Sequence, residues 1–149
     1  MILRVLNLRW SHGRRAKLFA GVVVAIVLGI TGGLKLAAPY EFQQNILSYG
    51  LFTGWQAKAL AHYIPIVEVL AALALLIPRY RFAGLGTAAL LLTAFLVISG
   101  YAWVAKPGLA CGCFGLYSGT SSTAFIVDVV LLVLVWIAKP RATGALPQI

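Results

Sequence analysis

The sequence predicts an all-α membrane protein, a bundle of four transmembrane helices with both termini in the cytoplasm. Three observations predict this class: 62% of the 149 residues are hydrophobic, only 10% are charged, and the mean hydropathy is +0.97. Soluble domains are about half apolar and about a quarter charged. Backbone polar groups in lipid must pair within their own segment, so long apolar runs are expected to be helices. The length allows a single domain.

Four apolar segments have about the length that an α-helix needs to cross ~30 Å of hydrocarbon. The third contains no charged residue, and the polar run YSGTSST opens the fourth, where Ser121 or Ser122 is expected to cap the helix. The predicted spans are residues 18–36, 59–77, 82–104 and 117–138. They form a membrane domain, residues 18–138, between a basic N-terminal arm, residues 1–17, and a tail, residues 139–149.

Basic residues are divided unevenly between the two ends of the predicted spans, nine at one end and three at the other. Because cytoplasmic segments are enriched in Lys and Arg, the end with nine is assigned to the cytoplasm, and the connections 37–58 and 105–116 face outside. The net charge of +9 is therefore explained by orientation. The sequence contains no alternation of aromatic and basic residues of the kind that binds nucleic acid, so a nucleic-acid partner is not predicted. The nine are Arg4, Arg9, Arg14, Arg15, Lys17, Arg79, Arg81, Lys139 and Arg141, and the three are Lys35, Lys58 and Lys106.

Two shorter segments are expected to lie along the membrane surface. The arm alternates basic residues with leucines, which suits the inner surface. In the first outer connection Phe42, Ile46 and Leu47 recur at helical spacing, and aromatic residues there suit the headgroup layer. We expect a short interfacial helix that covers the outer end of the bundle.

Two of the three acidic side chains fall deep within predicted spans. Glu68 lies roughly 14 Å from the outer end of the second span, and Asp128 roughly 15 Å from the inner end of the fourth. An ionised carboxylate at this depth costs at least ~2.5–3.5 kcal/mol, so each is expected to face the interior, be protonated or have a partner. Lys35, near the outer end of the first span, is a candidate counter-charge unless its stem snorkels to the surface.

We consider two roles for these groups. In the functional role they handle protons or contact a small ligand in the bundle. In the structural role they hold the helices together through hydrogen bonds. Pro65, three residues before Glu68, lacks an amide hydrogen, and a kink at that position favours the functional role for Glu68. Both alternatives stand for Asp128.

Both cysteines of the chain lie in the segment LACGCFGLYSG, residues 109–119. The assigned topology puts them outside, where disulfides persist. Gly112 between them permits the turn that would let the thiols meet. A bridge across one residue is cramped, gains little loop entropy and is labile. Cys111 and Cys113 are therefore predicted to be a redox pair and not a structural staple.

A metal site is the competing hypothesis for this pair. Two thiolates suit Cu(I), whereas a structural zinc site needs four ligands. The additional candidate is His62, at the outer end of the second span, which would ligate a metal or lower a thiol pKa. The alternative for His62 is an interfacial histidine with no chemical role. We predict no bound metal.

Three stretches carry a resemblance to a known family. GGLKLAAPYEF closes the first span, YIPIVEVLAALALLIPRYRFAGLG crosses the second and third, and CGCFG precedes the fourth. In this order, over about residues 18–138, they resemble the DoxX-like superfamily of four-helix membrane proteins and, within it, the MauE family of methylamine utilisation. The resemblance implies a multi-pass protein of the bacterial inner membrane.

The resemblance also implies a function. MauE-type proteins act with a thioredoxin-like partner in forming disulfides of an exported client, here with Cys111 and Cys113 as the exchanging pair and Lys35 and Glu68 as family-like polar positions. The broader comparison is with quinone-coupled thiol oxidases of the vitamin K epoxide reductase type. This chain departs from them because it has no Cys-x-x-Cys and no second pair. A quinone is a possible ligand within the bundle.

The predicted function is thus thiol–disulfide exchange between an outward Cys-x-Cys pair and a thioredoxin-like protein, which makes the chain a possible oxidoreductase. Two alternatives stand beside it. One is a non-catalytic membrane anchor or assembly subunit, and the other is a Cu(I)-binding accessory protein.

Overall fold

The structure is a computed structural model that describes residues 2–105, 110–111 and 119–139, with side chains for residues 15–105 and 121–139. Seven elements follow one another in these ranges. They are α1 (Ile2–Ala37), α2 (Pro39–Ser48), α3 (Gly54–Leu76), α4 (Arg81–Ala105), β1 (Ala110–Cys111), β2 (Gly119–Thr120) and α5 (Ser121–Ala138).

Within the described residues, four helices are long and apolar enough to span a membrane, which confirms the predicted four-helix class. In an apolar 18-residue stretch of each span, only 39% of the first and 33% of each of the others is buried. Large apolar side chains such as Phe19, Leu90 and Val104 point outward. Such a surface suits lipid and not water. The spans are Arg15–Ala37, Gly54–Leu76, Arg81–Ala105 and Ser121–Ala138.

The spans form a closed ring in which α1 packs on α3, α3 on α4, α4 on α5 and α5 on α1. Consecutive spans are antiparallel: Gly29 and Gly32 of α1 face Ala72 and Glu68 of α3 in reverse order, and Ser99 of α4 faces Asp128 of α5. Helices α3 and α5 therefore stand diagonally across the bundle. The buried core at one level is aliphatic, with Val24, Leu28 and Leu92 almost fully enclosed.

Helix α2 covers one end of this ring. Its apolar face, Phe42 and Ile46, is buried against Ala57 and Ala61 of α3, as the helical spacing of these residues predicted. Tyr49, just after α2, packs with Ala102 of α4 and Ala124 of α5. The connections from α1 to α3 and from α4 to α5 thus share this end of the bundle, which we call the α2 end.

The helix boundaries differ from the predicted ones for local reasons. Helix α3 begins at Gly54, five residues early, because the Thr53 amide donates to Gln56 Oε1 at 2.9 Å and starts the helix there. Helix α5 begins at Ser121 and not at residue 117, because Gly119 and Thr120 pair with Cys111 and Ala110 in a short antiparallel ladder. Helix α1 runs from Ile2 into the first span without a break.

The contact between α1 and α3 depends on Gly32. A Cβ at this position would lie 3.0 Å from Glu68 Cβ and from Val69 Cγ2, and 3.1 Å from the Pro65 carbonyl oxygen. A Cβ at Gly33, one residue later, would have no heavy atom within 4 Å. Of these two neighbouring glycines, Gly32 is therefore the one that lies against α3.

We expect Gly32→Ala to destabilise the bundle by about 1–3 kcal/mol, the usual cost of overpacking. Gly33→Ala is the matched control and should be neutral or stabilising, since alanine is the better helix former by about 1 kcal/mol. Reversible unfolding in mixed micelles measures both. Equal stability of the two variants would contradict a close α1–α3 contact at Gly32.

Candidate functional site

The centre of the site is a buried ion pair between two spans. Lys35 Nζ, from the last turn of α1, lies 2.6 Å from Glu68 Oε1 of α3. The side chains are 1% and 0% exposed. Lys35 therefore does not snorkel: its ammonium is the counter-charge of Glu68. The close approach at Gly32 brings α1 near enough to α3 for this bond.

Two aromatic rings complete the surroundings of the ammonium. Lys35 Nζ lies 5.0 Å from the ring centroid of Phe42 on α2 and 4.5 Å from that of Phe95 on α4. Both distances are within the range of a cation–π attraction, worth about 0.5–2 kcal/mol when desolvated. Three elements besides α1 thus contribute a side chain to the surroundings of this one lysine.

Phe95→Leu is expected to destabilise the protein by about 1–2 kcal/mol through loss of this attraction and of ring packing. The control on the same helix is Phe82→Leu, because Phe82 is 73% exposed whereas Phe95 is 8% exposed. The control should stay within about 0.5 kcal/mol of wild type. Unfolding of both variants in lipid-containing micelles tests this, and a Phe95→Leu protein as stable as the control would exclude a stabilising role for the ring.

Asp128 lies at the same level of the bundle. It is ten residues before the end of α5, and Glu68 is eight before the end of α3, so they lie about 15 and 12 Å along the helices from that side. Ser99 Oγ of α4 donates to Asp128 Oδ2 at 3.3 Å, and Asp128 is 4% exposed. We call Lys35, Glu68, Ser99 and Asp128 the polar cluster.

A small cavity joins the two acids. It has a volume of about 20 Å³ and is lined by Lys35, Glu68 and Asp128 together with Thr31 and five apolar residues. Glu68 Oε2 is fully buried and has no hydrogen-bond partner among the groups that the structure describes. An unpaired buried carboxylate oxygen is costly, so this atom marks a position where a further polar group is needed. The five are Val27, Leu28, Leu92, Phe95 and Leu131.

The described part of the cysteine segment, the backbone of Cys111 and Gly119, lies at the α2 end. The backbone of Cys111 is in β1, opposite Gly119 of β2, and β2 leads directly into α5 at Ser121. The extended backbone and the position near the start of the fourth span are both fixed by this ladder. Cys113 and the turn at Gly112 lie outside the described residues.

His62 is not part of the polar cluster. It is exposed on α3, and its Nδ1 lies 3.2 Å from the Lys58 carbonyl oxygen of the preceding turn. Within the part of the chain that the structure describes, no three His, Cys, Asp or Glu residues come together as a metal site would require.

Sequence reasoning missed one member of the polar cluster, Ser99, and the two rings beside the cluster, Phe42 and Phe95. Ser99 lies in the uncharged third span, and nothing in the sequence distinguishes it from the other polar residues of that span. Phe42 was expected only as part of an apolar face, and Phe95 looked like any aromatic residue of a span. Their roles depend on how α2 and α4 are rotated about their axes, which the spacing of residues along one helix does not fix.

A comparison with protein families agrees with this architecture. The model of the family described as methylamine utilisation protein MauE matches residues 14–139, which include all four spans, the polar cluster and both cysteines. The chain belongs to the MauE family. No curated protein and no solved structure matches it. This MauE family member is thus an integral membrane protein of a family linked to methylamine utilisation, and the wider DoxX-like relationship stays a prediction.

Proposed function

We propose that this MauE family protein exchanges thiols and disulfides with a thioredoxin-like partner through Cys111 and Cys113, and so supports disulfide formation in an exported client. The observation that carries the proposal is the β1–β2 ladder. It holds the Cys111 backbone opposite Gly119, two residues before α5 begins, at the end of the bundle that α2 covers. A pair of thiols at a membrane surface is accessible to a soluble partner.

The exchange itself follows thiol–disulfide chemistry. A thiolate of the reduced partner attacks one sulfur of the Cys111–Cys113 disulfide, a mixed disulfide forms, and the other cysteine leaves as a thiolate. The second thiolate of the partner then attacks the mixed disulfide. The partner ends oxidised and the pair ends as two thiols, so two electrons and two protons have moved to this protein.

We further propose that the α2 end faces outward from a bacterial inner membrane. The supporting observation is that nine of the twelve Lys and Arg residues belong to the opposite end. An oxidising compartment outside is one in which the disulfide form of the pair persists.

Re-oxidation of the pair needs an electron acceptor, and a quinone is the proposed one. An apolar cavity of about 210 Å³ lies between α2, α3 and α4, lined by aromatic and aliphatic side chains and by Asn45. This lining suits a hydrophobic ring. When bound, a quinone supplies two-electron oxidation.

The test is capture of the mixed disulfide. Cys111→Ser and Cys113→Ser are each expressed beside the thioredoxin-like partner, free thiols are blocked with acid and alkylating reagent, and non-reducing gels are read. One single variant should accumulate a covalent complex that disappears on reduction, and the double variant should give none. Complexes in neither single variant, with client disulfides formed normally, would contradict the proposal.

A further inference from the structure

The cavity at the polar cluster has features that helix packing alone does not explain. Its lining brings together an ammonium group, two carboxyl groups and the hydroxyl of Thr31 in the middle of an apolar bundle. One carboxylate oxygen, Glu68 Oε2, has no partner among the residues that the structure describes, although no part of the Glu68 side chain is exposed. Structural ion pairs are stable only when their remaining lone pairs are also satisfied.

The size of the cavity matches one water molecule. About 20 Å³ is open to the centre of a water-sized sphere, and ~10–15 Å³ is enough for one water. A buried water needs two to four polar partners. Glu68 Oε2, the Asp128 carboxyl and Thr31 Oγ1 supply them from three different helices.

The charges of the groups that line the cavity indicate that one of its two carboxyl groups carries a proton. Lys35 balances one carboxylate, because its Nζ lies 2.6 Å from Glu68 Oε1 and faces two aromatic rings. A second ionised carboxyl would leave the lining with one net negative charge, which is costly at this depth. Helix α4 contributes Ser99, Leu92 and Phe95 here, and α2 contributes Phe42, so neither helix adds a titratable group to the lining.

We infer that the cavity holds one water molecule bound to Glu68 Oε2, and that Glu68 and Asp128 share one exchangeable proton through this water. The polar cluster is a buried proton-binding site. The water donates to Glu68 Oε2, the proton moves between the two carboxyl groups, and the ammonium of Lys35 keeps the other charge neutralised. No bond between heavy atoms is made or broken. This site stands independently of the cysteine pair.

Infrared difference spectroscopy of the purified full-length protein in lipid nanodiscs tests the inference, because the chain has only three acidic side chains. At neutral pH the wild type should show one carboxylic-acid C=O band, and D₂O should shift it to lower frequency. Asp128→Asn and Glu68→Gln should each lose the band, since one ammonium and one remaining carboxyl are balanced without a proton.

Two controls separate this site from the rest of the protein. Glu41→Gln removes the exposed third acid and should keep the band. Cys111→Ser/Cys113→Ser should also keep it, so that failure of thiol exchange and failure of proton binding are read separately. A wild type without the band, a band that does not respond to D₂O, or a band that survives in either single acid variant would overturn the inference. The first two of these outcomes are measured on the wild type, so they do not depend on whether a variant folds.

Discussion

Lys35→Met is expected to destabilise the protein by about 3–5 kcal/mol, the cost of leaving one partner of a buried ion pair alone. Without the ammonium, Glu68 loses the hydrogen bond to Oε1, and its Oε2 already has no partner in the part of the chain that the structure describes. The rings of Phe42 and Phe95 would also lose the cation that they surround. Reversible unfolding in mixed micelles measures the loss.

The matched control is Lys58→Met, which removes an exposed lysine from the first turns of α3 and should cost less than about 0.5 kcal/mol. Combining Lys35→Met with Glu68→Gln removes both charges, so the double variant should be more stable than Lys35→Met alone. A Lys35→Met protein as stable as the Lys58→Met control would show that the pair contributes nothing to stability.

Cys111→Ser/Cys113→Ser is expected to abolish oxidation of a reduced thioredoxin-like partner while leaving the bundle folded. The reason is that thiol–disulfide exchange has no route without a sulfur pair. Both substituted positions fall between the third span, which ends at Ala105, and the fourth, which begins at Ser121, so no residue of a span is changed. Two membrane preparations, one with the variant and one with the same amount of wild type, are each mixed with reduced partner. Oxidation of the partner is followed by alkylation and gel shift.

The same variant separates the remaining hypotheses. If partner oxidation is unchanged while the partner still associates with the membrane, the protein acts as an anchor or assembly subunit. If the wild type retains copper and the variant loses it, the pair is a Cu(I) site. Both assays require one control: the variant should unfold at the same denaturant concentration as the wild type.

The features that could be predicted from the sequence are the local ones. The four spans follow from continuous apolar length, and α2 follows from the spacing of Phe42 and Ile46, because each pattern is contained in a single segment. Glu68 and Asp128 were also placed at a similar depth, since depth depends only on position along a helix.

What could not be predicted depends on rotation about helix axes and on contacts between segments. Lys35 had two possible environments, and only the approach of α1 to α3 at Gly32 decides between them. The partner of Asp128 on α4, Ser99, has no sequence pattern that selects it from the other polar residues of the span. The start of α5 was displaced by pairing with β1, a contact between residues about ten apart.

The central claim is that Cys111 and Cys113 face outward as a disulfide. Intact cells treated with a membrane-impermeant, mass-tagged maleimide test it most directly, because these are the only two thiols of the chain. We predict no tag before reduction and two tags after reduction, with none on the double serine variant. Tags that appear only after the cells are permeabilised would place the pair in the cytoplasm and contradict the account.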